Sequence, residues 1–302
     1  MKKPFKIIAL SLLSMIGIMG VLFLLMRFVF REQSMDFLKE IQYKERLEVL
    51  QSCGPYTNSQ EPDFHFTYKQ DSGYVESIRD YFRLDTLVNP EATTWEKAVT
   101  LANFIVRNIP HANQRIQPMA YNAIDLWKYH MLTEPAFNCR LHSIMLHELL
   151  LASGITNRFV TCLPADSTDQ DCHVVNLVWL PERQKWAMID SDGCAFVTDE
   201  EGVPLSLEEM RQYSIEGKRM EVHPIEGGEK YEDYLSYWAK NLYWFICWEE
   251  TGYNKEPDRK GRQIYLFPQG FEGFYLWDNV IITSDATRFW AAPEETLSDS
   301  GH

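Results

Sequence analysis

The chain has 302 residues, 45% of them hydrophobic and 14% aromatic, with 29 Lys and Arg against 43 Asp and Glu for a formal net charge of −14. An acidic surplus of this size is poorly suited to holding phosphate backbones, and no basic stripe or stacking platform interrupts it, so nucleic acid is excluded as a partner. No internal repeat is present.

At the N-terminus, Lys2, Lys3 and Lys6 precede residues 7–26, which carry no charge, and Arg27 and Arg31 follow. A helix of that length is expected to span a bilayer. No A-x-A-like cleavage site follows it and no cysteine lies nearby for lipid attachment, so residues 1–31 are expected to be an uncleaved signal anchor, a single-pass transmembrane helix. Three lysines and the terminal amine outweigh two arginines, which puts the N-terminus in the cytoplasm and the main domain in the periplasm or outside the cell. A cleaved export signal would leave the compartment unchanged. Those five basic residues aside, residues 32–302 carry 24 basic groups against all 43 acidic ones, a net of −19. Residues 32–74 are a stalk and connector: 33–50 are charged and helix-prone, and 53–66 contain Pro, Asn and Ser.

Residues 75–215 carry the chemistry. In the run from Asn138 to Gly154, apolar residues recur at three to four residue intervals (Leu141, Met145, Leu149, Ala152), Gly154 is a natural stop, and Asn138 is the expected N-cap. Cys139 then sits in the first turn, at the positive end of the helix dipole and beside unpaired backbone N–H groups. Such a setting favours a thiolate and can hold an oxyanion. Residues 156–162 read as a strand, 164–171 as a polar loop, 173–180 as a second strand, 181–184 as a turn and 185–190 as a returning strand. If Leu180 and Lys185 close this hairpin, Asp190 lies opposite Val175, whose side chain shares a face with His173, one diagonal step away. A register one pair tighter places His173 and Asp190 directly opposite. Either lets Asp190 orient the His173 ring while that ring draws the proton from Cys139.

Residues 205–213 read as an amphipathic helix after a turn at Gly202. Gly217 and the Gly227-Gly228 pair mark a looser connection into residues 216–302. This last region holds Tyr234, Tyr237, Trp238, Tyr243, Trp244, Phe245, Trp248, Phe271, Phe274, Tyr275, Trp277, Phe289 and Trp290. The uninterrupted apolar run 242–248 fits a buried strand, and the rings are expected to pack a small β-rich extension against the core, although some could stack on a glycan or a peptide side chain. Of the six cysteines (53, 139, 162, 172, 194 and 247), Cys162 and Cys172 flank one loop and are the expected disulfide. If Cys139 stays free, at least one more is unpaired. Cys139-x-x-His142 and Cys172-His173 have the residue types of a zinc site but not its usual spacing, so no metal and no cofactor is expected. His142 and His147 do not share a helix face, and His111, in the loop before the nucleophile, reads as a solvated loop histidine, with a place bordering the cleft as the alternative.

Asn138-Cys139-Arg140, the helix ending Ala152-Ser153-Gly154-Ile155, Arg158, His173 opening a hairpin, and Trp186-x-x-Ile189-Asp190 together resemble the core of the transglutaminase-like superfamily. The likeness extends upstream through Ile78 to Phe82 and Trp95 to Asn108, and covers roughly residues 75–210. It implies an α+β, papain-like fold, a nucleophile helix packed on an antiparallel sheet, with a Cys139-His173-Asp190 triad. Members commonly carry proline directly after the triad aspartate, whereas Ser191 and Asp192 follow here. The tryptophan that helps to bind the oxyanion in animal transglutaminases lies farther upstream than Trp127, so that role is not transferred. The resemblance implies thiol-dependent acyl transfer on peptide or glutamine-type amide bonds. Water as acceptor gives a peptidase or amidase, slightly favoured for a bacterial-looking anchored protein, and a primary amine gives a transglutaminase. The alternative is an inactive, membrane-tethered module that binds peptide or glycan on the same fold.

Overall fold

The computed structural model describes residues 3–28, 31–58, 63–68, 72–166, 168–225, 233–253, 261–273 and 278–293. Phe274, Tyr275, Trp277 and the Gly227-Gly228 pair lie outside the described residues. The chain divides into two units, Met1–Arg46 and Leu47–His302.

The first unit holds helix α1 (Lys3–Phe28) and most of α2 (Arg31–Gln51). Among the described residues no helix is long and apolar enough to cross a membrane. This corrects the expected signal anchor, and with it the single-pass topology and the periplasmic or extracellular placement drawn from it. α2 is polar and mostly exposed, with a Glu40–Lys44 pair one turn apart.

In the second unit, five helices precede the main sheet: α3 (Ser72–Phe82), α4 (Leu84–Leu87), α5 (Thr94–Asn108), α6 (Ala123–Leu132) and α7 (Cys139–Ala152). α5 opens on a reciprocal Thr93–Glu96 capping box and α6 on Asn122, whose side chain accepts from Asp125 N. Every residue of α7 from Leu141 to Ala152 is buried, because the helix has neighbours on all sides. One core lies between the helices and the sheet, joining Leu101, Ile105, Leu126 and Met145 to Phe159, Val174 and Val178.

The main sheet contains β2 (Asn157–Leu163), β3 (His173–Leu180), β4 (Lys185–Ile189), β7 (Trp244–Trp248), β9 (Gln263–Leu266) and β10 (Val280–Thr283), in the order β10-β9-β7-β2-β3-β4. All neighbours are antiparallel except β10 on β9. Two further pairs flank it: β1 (Thr67–Tyr68) on β8 (Glu250–Thr251), and β5 (Ala195–Thr198) on β6 (Glu221–Pro224). The hairpin closes on Leu180 and Lys185, the wider of the two expected registers. Because both faces are covered, β2 and β3 read as near-continuous apolar runs: Val174 and Val178 face α7, while Val160, Val175 and Leu177 join a second core with Met210, Trp238 and Phe245. That second core receives α8 (Leu207–Glu216) and α9 (Tyr234–Asn241), and α10 (Ala286–Phe289) follows the last strand. α8 starts two residues later than expected, where Ser206 and Glu209 form a capping box.

Two expectations are revised here. The aromatic C-terminal region does not lie against a finished core: β7 pairs with β2 through Val160–Cys247 and carries β9 and β10 outward in the same sheet. The two ends of the second unit also meet at Arg158, whose buried guanidinium lies over Phe66 at 4.2 Å and Trp186 at 4.7 Å and donates to the Phe289 carbonyl. All six cysteines are free thiols. Cys162 pairs across the ladder with His173, so Cys172, one residue earlier, projects to the other face of the sheet, and the expected Cys162–Cys172 bridge does not form.

Candidate active site

Asn138 caps α7, its side-chain oxygen accepting from Leu141 N at 3.1 Å. This leaves Cys139 as the first helical residue, half-buried at the mouth of a cleft of about 800 Å³. The helix is pinned to the sheet beside it: Ser143 Oγ donates to the Val174 carbonyl at 2.7 Å, and Asn176 Nδ2 donates to the Ser143 carbonyl at 3.0 Å. Since Val174 and Asn176 belong to the strand that His173 opens, these bonds set the distance between thiol and imidazole. His173 is 6% exposed, and one of its ring nitrogens lies within 4.8 Å of Cys139 Sγ.

On its other side His173 Nε2 meets Asp190 Oδ2 at 2.7 Å. Asn176 faces Ile189 across the hairpin, so continuing the register sets Asp190 opposite Val175, diagonal to His173. Asp190 is inaccessible to solvent. Its Oδ2 also accepts from the Tyr234 hydroxyl at 2.9 Å, and its Oδ1 accepts from the backbone N–H of Asp192 at 3.1 Å and of Gly193 at 2.7 Å. Burial pushes the Asp190 carboxyl up, but the charge and hydrogen bond of His173, with the Gly193 and Tyr234 donors, outweigh it and hold the group below the usual carboxylate range. Burial likewise pushes His173 down, and the Asp190 charge and hydrogen bond, aided by Cys139, carry it well above the usual imidazole range.

The turn after Asp190 is tight. Asp190 and Ala195 exchange both backbone hydrogen bonds at 3.0 Å, and Cys194 takes a left-handed φ of 54°. A Cβ on Gly193 would stand 2.3 Å from Asp190 Oδ2 and 3.0 Å from the Tyr234 ring, so the close approach of the turn to the carboxylate requires glycine. From α9, Tyr237 and Trp238 set ring edges against His173 at centroid distances of 5.3 and 5.5 Å.

A second polar group adjoins the first. Asp192 Oδ1 meets His111 Nδ1 at 2.7 Å and lies 3.8 Å from His142 Nε2. His111 is an exposed loop residue, as expected, and it also lines the cleft with its ring held by a carboxylate. The Asp192 hydrogen bond is the main cause of its raised pKa. His147 belongs elsewhere: it is buried against Asn157 and the Gly252 carbonyl, and burial brings its pKa down to about 4. Trp127 stacks on Phe104 in the helical core and is absent from the cleft wall.

The structure therefore brings Cys139, His173 and Asp190 together. Sequence reasoning missed Tyr234, Gly193 and the place of Asp192. Tyr234 lies 44 residues from Asp190, in a stretch whose only visible pattern is aromatic content. The one available signal was negative: a polar Ser191-Asp192 pair after the aspartate, where the family resemblance led one to expect proline.

Residues 83–191 match the model of the transglutaminase-like superfamily. Among solved structures, a candidate cysteine protease from Cytophaga hutchinsonii is 16% identical over 50% of this chain and 52% of its own, with a TM-score of 0.32. A candidate protease from Parabacteroides distasonis is 12% identical over 49% of this chain and 26% of its own, with a TM-score of 0.27. The chain thus spans about half the length of the first and a quarter of the second. No curated protein matches it.

Proposed function

From the premise that residues 83–191 are a transglutaminase-like core, we propose that this protein transfers acyl groups from peptide or glutamine-type amide bonds through a thioester on Cys139. One observation carries the reading: a single buried imidazole lies within 4.8 Å of the Cys139 thiol and bonds a carboxylate whose two oxygens are held by four donors. In that arrangement Cys139 Sγ attacks the substrate carbonyl and His173 accepts the thiol proton. The oxyanion forms at the N-terminus of α7, which opens on the cleft. His173 then returns the proton to the leaving amine, and Asp190 stabilises the imidazolium throughout without taking the proton itself.

Water is the favoured acceptor for the thioester, which makes the activity that of a peptidase or amidase. His111, Asp171 and Asp192 on the cleft wall hydrate the reaction centre, whereas transfer to an amine calls for a wall that excludes water. Brief iodoacetamide treatment at pH 6, followed by peptide mapping, tests the nucleophile. Cys139 is expected to alkylate well ahead of the buried Cys162 and Cys247, and His173→Ala to slow it roughly a hundredfold. Alkylation of native Cys139 no faster than that of an ordinary thiol, or a rate unchanged by His173→Ala, removes the reading.

A further inference from the structure

Three donors of different chemistry converge inside the cleft. Cys139 Sγ, a ring nitrogen of His173 and a carboxylate oxygen of Asp192 lie within 4.8 Å of one another. We propose that they form a binding site for a zinc-type divalent ion, with His142 as fourth donor, and that the ion reversibly silences the thiol. The silencing rests on the acyl-transfer reading above; the site itself does not.

The donor set selects the metal. A thiolate, imidazoles and one carboxylate suit zinc, whereas calcium and magnesium take oxygen ligands. Tetrahedral zinc with bonds of ~2.0–2.3 Å sets its ligands roughly 3.3–3.8 Å apart, so the three groups need close by no more than about 1.5 Å. Two are already braced from behind. The Asp190 contact takes His173 Nε2, which leaves Nδ1 as the ligating atom and reproduces the carboxylate backing of a metal-bound histidine. His111 Nδ1 in turn holds Asp192 Oδ1.

His142 supplies the independent observation. Its side chain is 2% exposed and lines the same cleft, one turn along α7 from Cys139. Among the described residues neither ring nitrogen meets hydrogen-bond geometry with any partner. Its nearest polar neighbours are the Pro110 carbonyl and the Asp192 carboxylate at 3.8 Å. A buried imidazole is costly in that state, and an ion held by Asp192 would take Nε2, the nitrogen 3.8 Å from that carboxylate. The triad uses neither His142 nor Asp192.

Cobalt(II) titration of the full chain after chelator treatment tests the site, with zinc as competitor. One cobalt per chain is expected, with tetrahedral visible bands and a sulfur-to-metal charge-transfer band, both displaced by zinc. Cys139→Ser should abolish the charge-transfer band. Asp192→Asn and His142→Ala should each weaken binding at least ~10-fold, and Asp192→Glu should recover part of the loss, with circular dichroism confirming that each variant is folded. No saturable binding, a sulfur band that survives Cys139→Ser, or an affinity indifferent to Asp192→Asn overturns the site, and an affinity indifferent to His142→Ala removes the fourth donor. Alkylation of the metal-free chain separates the two readings. A sluggish thiol with an intact cobalt site strikes acyl transfer alone, and a reactive thiol without cobalt binding strikes the metal site alone.

Discussion

Asp190 has no access to water, and its ionisation is set by the groups that donate to it. Its carboxyl is held low and the His173 ring high, each against the pull of burial. The depressed carboxyl contributes stability above its ordinary pKa near ~4 and loses it as pH falls through the lower folded value. The elevated imidazole contributes below its ordinary ~6.5 and loses it as pH rises through the higher folded value. The stability advantage of the native chain over Asp190→Asn is therefore expected to be greatest between about pH 4 and 6.5 and to shrink on both sides, as thermal denaturation across pH will show. A flat difference would mean that the pair does not titrate as a unit. Gly193→Ala drives a methyl group into Asp190 Oδ2, with an expected cost of about 1–3 kcal/mol and slower Cys139 alkylation. Unchanged stability together with unchanged labelling would show that the turn yields at no cost.

Among the elements, α7 and the hairpin of β3 and β4 carry the site, and both were legible in the sequence. A cap, a 3.6-residue period and a glycine stop mark a helix locally. Two alternating runs around a four-residue turn fix which residues share a face. Asn138 caps as read, β3 spans the expected 173–180, and Leu180 meets Lys185. The cap predicts that Asn138→Ala costs about 1 kcal/mol, a fall in melting temperature of roughly 2–4 °C for a domain of this size. Calorimetry will check it, and a loss confined to thiol reactivity would mean that the cap only positions Cys139. What escaped the sequence was non-local. The expected Cys162–Cys172 bridge followed proximity along the chain, whereas strand pairing turns those two side chains to opposite faces. The role of Tyr234 depends on where α9 lands, which no local pattern encodes.

In the molecule as a whole, the second unit is less divisible than its sequence suggests. A boundary near residue 215 separates changes in composition and aromatic density, yet β7 is an interior strand between β2 and β9. Removing it leaves one edge of β2 unpaired and opens the core that holds Val160, Trp238 and Phe245. A chain ending at residue 225 is expected to show no cooperative thermal transition and to be cleaved rapidly by added protease. A two-state melt from that fragment would establish that residues 47–225 fold alone. The anchor expectation failed at this scale too: among the described residues no helix is both long and apolar enough to cross a membrane.

The place of β7 also imposes an order of events during synthesis. Leu163 on β2 waits for Trp244, some 80 residues later, and at ~5–20 residues per second the ribosome takes roughly 4–16 s to deliver it. Tyr234, which completes the Asp190 cradle, arrives in the same interval. Until then the thiol has left the ribosome but its carboxylate has not been enclosed, so the nascent chain carries an unarmed nucleophile among other newly made proteins. Arming is deferred by the topology of the sheet until α9 and β7 have been made.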